Sequence, residues 1–295
     1  MPVAPAPSLR PLVVAVVGSL MVDMVYETKG DSQRKDRRPA ISLTRTAGGK
    51  GANIALATHR SSHRKPIEGS KTMLREEGQF SAPQSEIRVF MNAGVGDDEV
   101  GRSLRQGLSS QGINTEGVLA IKGEETGACT VVVDVDTRES QMIAYDGPRI
   151  IYKPGDVDHL ESLTGSIAAK PDLLMMTLEI PREVIEHLLE TAARAGVDTV
   201  LNPSPKTYLV AEAYTNVTHL ILNESETAAI CDCTLEDLES SEIQRSSAVK
   251  LLGRGVQNVV LTLGQRGAFY AAKNGQHGHV SAERDIDVRD TTGAG

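Results

Sequence analysis

The chain has 295 residues, 40% of them hydrophobic, enough for one large α/β domain or two modest ones with a sizeable core. Lys and Arg number 31 against 39 Asp and Glu, and no run of like charge is long enough to serve as a nucleic-acid or membrane surface, so small-molecule partners are expected. Its three cysteines, Cys129, Cys231 and Cys233, are odd in number and lack secretory context. They read as reduced thiols in a cytosolic-type compartment, and Cys231-Asp-Cys233 without a second pair reads as incidental rather than as a zinc site.

In chain order, the apolar, β-branched stretch from Leu12 to Val17 predicts a strand buried on both faces of a parallel sheet. Its continuation to Val22 is interrupted by Gly18 and Ser19 and followed by Asp23 without a small-residue cleavage site, so neither a signal peptide nor a bilayer span is read there. Further strands are expected at "IRVFMNAG", "DLLMMTL", "DTVLN", "HLILN" and "NVVLTLG". Helical periodicity is clearest in "PREVIEHLLETAARAG", with Pro181 in the first turn, Val184, Ile185, Leu188, Leu189 and Ala192 on one face, and Gly196 at the end. Alternation of this kind predicts a doubly wound, mainly parallel α/β sheet, whose ligands bind beyond the carboxyl ends of the strands. Residues 11–23, 47–115 and 147–295 are expected to form that core. Residues 24–46 and 116–146 are polar at alternate positions, which predicts a small separate β-sheet with one wet face. Residues 59–86 carry charges of both signs and few large apolar side chains, and read as an inserted surface loop.

The strand ends carry the chemistry. "GGKGAN", Gly48 to Asn53, opens a small-residue helical run. Its glycines permit close approach of a ligand, Lys50 and Asn53 offer donors, and a helix start attracts negative or hydroxyl-rich groups. The spacing fits neither a Walker loop nor a dinucleotide fingerprint. Asp23, Glu179, Asn202, Asn223 and Glu226 each follow an apolar run; carboxylates and amides so placed suit sugar hydroxyls, or magnesium held through water. "TLGQRG", Thr262 to Gly267, and "DTTGAG", Asp290 to Gly295, are glycine-rich turns after strands. Each group also has an ordinary structural role open to it: Asp23 and Glu179 as helix caps, Lys50 as a solvated charge, Asn223 as an N-cap with acids in the first turn.

Taken together, the ordered motifs "GSLMVD", "GGKGAN", "GVGDDEVG", "LEIP", "NPSP", "NESE", "TLGQRG" and "DTTGAG" resemble the ribokinase or PfkB-type carbohydrate kinases from Val13 to Gly295. The resemblance implies a doubly wound sheet capped by a small β lid, and phosphorylation of D-ribose to ribose 5-phosphate by ATP. It implies that Asp23, Gly49, Lys50, Gly51, Asn53 and Glu179 surround the sugar, with Asp23 holding two hydroxyls. Asn223, Thr262, Gly264, Gly267 and Gly295 would serve the nucleotide, with Mg2+ near Glu226 and a potassium-type monovalent cation at Asp290 and Thr292. Gly293, Ala294 and Gly295 would begin the anion hole. In the family an aspartate general base follows this last motif, so the chain is expected to end one residue before it and to be inactive as written. A homodimer through the lid and a cytoplasmic location, or an organellar one if an address follows Gly295, are also implied. Two departures stand out: Met21 replaces the Asn usual in bacterial members, as in animal ones, and Asp146-Gly147-Pro148-Arg149 replaces Gly-Ala-Asn. A kinase for another sugar or nucleoside, and a noncatalytic sugar- or nucleotide-binding protein, remain alternatives.

Overall fold

The computed structural model describes residues 10–29, 39–62, 87–137, 139–148, 152–204 and 208–283. Two sheets organise them. The larger contains β1 (Leu12–Val17), β4 (Ile87–Gly96), β5 (Val118–Ile121), β8 (Leu173–Thr177), β9 (Asp198–Asn202), β10 (His219–Asn223), β11 (Asn258–Thr262), β12 (Ala268–Ala272) and β13 (His277–Val280). Their order is β13-β12-β11-β10-β9-β8-β1-β4-β5. Pairing is parallel from β5 across to β11, and only β12 and β13 run antiparallel to their neighbours. The smaller sheet has order β3-β2-β6-β7, from β2 (Met21–Thr28), β3 (Ala40–Gly48), β6 (Ala128–Asp134) and β7 (Ser140–Tyr145).

The period-two geometry of a strand explains how the large sheet is held. Along β1, Val14 and Val16 join one apolar cluster with Ala52, Ala55 and Leu56 of α1 (Lys50–Ser62) and with Leu104 and Leu108 of α2 (Glu99–Ser110). Ala15 and Val17 point the other way, into a cluster with Val184, Ile185, Leu188 and Leu189 of α3 (Arg182–Ala195). A strand buried on both faces has no use for alternation, and this accounts for the continuous apolar run. Each fully buried Leu or Val contributes about 1.5–3 kcal/mol. α3 begins after Pro181 and ends at Gly196, whose φ of 63° lets its N–H reach back to the carbonyls of Ala192 and Ala193. Two further helices, α4 (Glu224–Cys231) and α5 (Ser241–Gly253), follow β10.

Two expectations need correction. Asp23 does not follow the first strand of the large sheet; it lies inside β2 of the small one, paired with Thr46 and Cys129. β1 spans Leu12–Val17 as expected and the chain breaks at Gly18 and Ser19, but a second strand, β2, starts at Met21, so residues 21–23 belong to the small sheet and not to the core segment 11–23. Val118–Ile121, within the segment read as lid, pairs instead with β4 at the edge of the large sheet, where one neighbour and partial exposure leave a weak periodic signal. Residues 63–86 of the expected surface insertion lie outside the described residues.

Candidate active site

The site lies where the small sheet meets the carboxyl ends of the parallel strands. A cavity of about 510 Å3 is lined by Asp23, Gly49, Lys50, Asn53, Glu179, Asn223 and Thr262, all expected from the sequence, together with Asn202, Asp146 and the apolar groups of Met21, Cys129, Met142 and Ala144. Polar groups converging in a largely apolar hollow are the usual form of a small-molecule site.

The floor is the start of α1. The Ser19 hydroxyl donates to Glu179 Oε2 in a very short contact. The N–H of Lys50 donates to Ser19 Oγ at 3.0 Å and to Glu179 Oε2 at 3.3 Å, and the N–H of Ala52 reaches the Ser19 carbonyl at 3.1 Å. Glu179 therefore satisfies a donor at the opening of the helix, where four N–H groups lack helical partners. The glycines of "GGKGAN" have separate steric reasons. Gly49 has a φ of 93°, and Gly51 lies so close to Gly18 that a Cβ on it would stand 2.7 Å from that residue's backbone. Gly48 makes room for Asp23: a Cβ there would fall 2.1 Å from Asp23 Cγ. Burial, with the nearby charge of Glu179 second, pushes the Asp23 carboxyl above its ordinary range. Burial, and then Asp23, likewise raises the Cys129 thiol.

Behind this floor is a second group of polar side chains. Asn223 caps α4 by accepting from the Glu226 N–H at 2.8 Å, and Glu226 Oε2 returns the bond by accepting from the Asn223 N–H at 3.0 Å. The Asn202 amide donates to the same oxygen at 3.1 Å. Glu226 is only 2% exposed, and its other oxygen faces Lys50 Nζ at 3.9 Å. Lys50 Nζ also makes a very short hydrogen bond to Ser204 Oγ. The ammonium thus sits with Glu226, while the backbone of the same residue sits with Glu179. Thr262 ends β11 and donates to the Leu222 carbonyl at 3.3 Å. Gly264 and Gly267 shape the 3-10 turn beyond it, with φ of 56° and 90°, and a Cβ at Gly267 would meet the Val280 carbonyl at 1.9 Å. They stand outside the cavity lining, as does Gly51. Asp290, Thr292, Gly293, Ala294 and Gly295 lie outside the described residues.

Sequence reasoning did not single out Ser19, Ser204, Cys129 or Asp146 as site residues. Ser19 and Ser204 lay within quoted motifs, and Asp146 was visible at the end of a lid strand. Cys129 had no local signal, because what brings it to the site is strand register.

A doubly wound sheet with a cavity between its strand ends and a β lid is the architecture of α/β proteins that bind small molecules beyond the carboxyl ends of their strands. The sequence pattern of the pfkB family carbohydrate kinases matches residues 12–295, and the chain belongs to that family. It is 31% identical over 294 residues to a ribokinase of Schizosaccharomyces pombe, covering 96% of this chain and 81% of the relative. It is 26% identical over 283 residues to a deoxyribokinase of Salmonella typhi, with the same coverage of 96% and 81%. Among solved structures, Arabidopsis thaliana ribokinase complexed with ribose and ATP superposes with a TM-score of 0.76 at 21% identity, covering 97% of this chain and 82% of that one.

Proposed function

We propose that the protein is a carbohydrate kinase that transfers the terminal phosphoryl group of ATP to D-ribose, giving ribose 5-phosphate. The observation that carries this reading is one cavity lined by Asp23 of the lid and by Lys50, Asn53 and Glu179 of the larger unit, with Glu226 behind the lining and paired to Lys50. Relatives named for ribose and for deoxyribose lie on either side of the choice of sugar.

Phosphoryl transfer demands little covalent work from an enzyme and much positioning. Asp23 accepts hydroxyl protons in hydrogen bonds that orient the sugar, and Asn53 offers a donor to it. Lys50 places a positive charge where phosphate oxygens gather. The lid keeps water from replacing the sugar as acceptor. Glu226 fits a Mg2+ held through water and phosphate oxygens: one carboxylate oxygen is tied down by Asn202 and Asn223, and the other faces the phosphate side beside Lys50. The ion there would neutralise charge on the phosphates. Asp290 and Thr292 are proposed to hold a monovalent cation, potassium, on the strength of the motif alone. A homodimer through the lid is proposed because Ile41, Leu43, Ile143 and Tyr145 of β3 and β7 are exposed apolar groups. Among the described residues no helix is long and apolar enough to cross a membrane.

The test is calorimetric titration with ribose, glucose and a nonhydrolysable ATP analogue with Mg2+, beside ribose-dependent ADP release by the full-length protein. Ribose binding that Asp23→Ala removes, and analogue binding that Lys50→Met weakens at least about tenfold while ribose changes less than about threefold, are the expected results. Ribose affinity unchanged by Asp23→Ala would refute the assignment of the site.

A further inference from the structure

The lid enters the chain twice, and at one of its roots a carboxylate gathers several donors. Asp98 caps α2 by accepting the Gly101 N–H at 2.7 Å. The same side chain accepts the Thr126 hydroxyl at 2.6 Å and, with its other oxygen, the Thr126 N–H at 2.7 Å. Thr126 Oγ1 in turn accepts the Gly96 N–H at 3.0 Å, and Thr126 is 6% exposed. Burial works against the charge of Asp98, but these hydrogen bonds from Thr126 and Gly101 outweigh it and hold the carboxyl below its ordinary range. A simple helix cap needs only the Gly101 bond; the Thr126 bonds tie the large sheet to the lid.

From Thr126 the path to the sugar site is short. The next residue, Gly127, accepts the Val22 N–H through its carbonyl at 2.9 Å, and Val22 precedes Asp23. β6 begins at Ala128, and its register places Cys129 beside Asp23. Gly127 also lies against the other lid root: a Cβ on it would stand 2.7 Å from the Asp146 carbonyl, and one on Gly147 would stand 2.3 Å from the Gly127 nitrogen. Both carboxylates that the small sheet contributes to the cavity, Asp23 and Asp146, are therefore placed by backbone that packs on Gly127.

We propose that Asp98 and Thr126 are positioning residues for the sugar, a clamp that fixes the lid root and through it sets Asp23 and Asp146 over the cavity floor. The inference rests on the reading of the site as a sugar kinase. It assigns the two residues an effect on sugar and not on nucleotide, since Lys50, Asn223 and Glu226 belong to the large sheet and its helices.

The experiment compares Thr126→Val, Thr126→Ser and Asp98→Asn in the full chain, with Kd for ribose and for the ATP analogue read by calorimetry and the amide exchange of Val22 read by NMR. Thr126→Val keeps the shape and loses the hydroxyl, so ribose binding should weaken about tenfold, the worth of one charge-assisted hydrogen bond, with analogue binding changed less than about twofold. Thr126→Ser, which keeps the hydroxyl, should return ribose affinity to within about threefold of the parent. Asp98→Asn, which turns an amide toward donors, should repeat the Thr126→Val pattern and serves if Thr126→Val does not fold. Equal losses for ribose and analogue, a lowered melting temperature with unchanged ribose affinity, or no rescue by Thr126→Ser would each overturn the proposal. Absence of ribose binding by the unmutated protein would instead refute the functional reading. The clamp would then stand on faster Val22 exchange in Thr126→Val, and fall if that exchange is unchanged.

Discussion

Gly48→Ala should disable the sugar site while sparing the fold. Gly48 lies in β3 without a left-handed φ, so an alanine is acceptable to the backbone, and the three atoms nearest an added Cβ all belong to Asp23. The added Cβ would stand 2.1 Å from Asp23 Cγ and 2.2 Å from each carboxylate oxygen. Restoring ordinary contact, about 3.4 Å, requires the carboxylate to retreat by about 1.3 Å, enough to break hydrogen bonds whose useful range ends near 3.2 Å. Two sugar hydroxyls bonded to a carboxylate are worth about 1.5–3 kcal/mol each. Discounted for a half-buried group, the loss becomes roughly 2–4 kcal/mol, or about 30- to 700-fold in ribose affinity. Because the atoms displaced are the end of one side chain, the stability cost should stay within about 1 kcal/mol. Asp23→Ala combined with Gly48→Ala should bind ribose no worse than Asp23→Ala alone, since the second change acts only through the first. Calorimetry with ribose and thermal melts of the four proteins make the comparison. A Gly48→Ala protein that binds ribose like the parent would refute the placement of Asp23 over Gly48.

Gly51→Ala should show the opposite balance: its Cβ would meet the Gly18 backbone at 2.7 Å, so overpacking costs about 1–3 kcal/mol of stability, read by denaturant unfolding. Glu226→Ala removes the acceptor of the Asn223 N–H and one of the two acceptors of the Asn202 amide, which keeps its bond to the Ile221 carbonyl; this should cost about 1–3 kcal/mol. Glu226→Gln should keep most of that stability but lose the enhancement by Mg2+ of analogue binding, measured by titration with and without the metal. Asp23→Asn should raise the melting temperature of the ligand-free protein near neutral pH while abolishing ribose binding. The sign follows from a folded-state pKa raised above the ordinary aspartate range by burial and then by Glu179: holding Asp23 ionised destabilises the fold once pH exceeds the raised value, and the advantage of Asn should vanish as pH falls below about 4, the range of an unburied aspartate. Melting curves taken across that range, with no difference at neutral pH, would contradict it.

The parallel strands were legible because burial on both faces writes an unbroken apolar run, and α3 because Pro181 and Gly196 bracket its apolar stripe. Strands at the margins were not: β5 is short, β12 and β13 form an antiparallel edge, and β2 starts three residues before the expected lid segment, within residues assigned to the core. Motif spacing brought forward Asp23, Lys50, Asn53, Glu179 and Asn223, which line one cavity. It did not reveal which part of Lys50 faces which partner, since the contacts of its ammonium lie 154 and 176 residues along the chain, at Ser204 and Glu226. The fit of Gly48 around Asp23 was hidden for the same reason: it depends on the register between β2 and β3.

The cavity is bounded by two sheets that share no strand. Asp23, Cys129 and Asp146 come from the smaller, which is inserted into the chain in two pieces, whereas Lys50, Asn223 and Thr262 belong to the larger and its helices. Inheritance can therefore act on the two walls separately. On the proposed assignment, exchanges among four short strands would retune the shape and hydrogen bonding offered to the acceptor alcohol, while the residues assigned to the triphosphate would keep their frame. A lineage built this way can explore new sugars by remodelling a replaceable jaw.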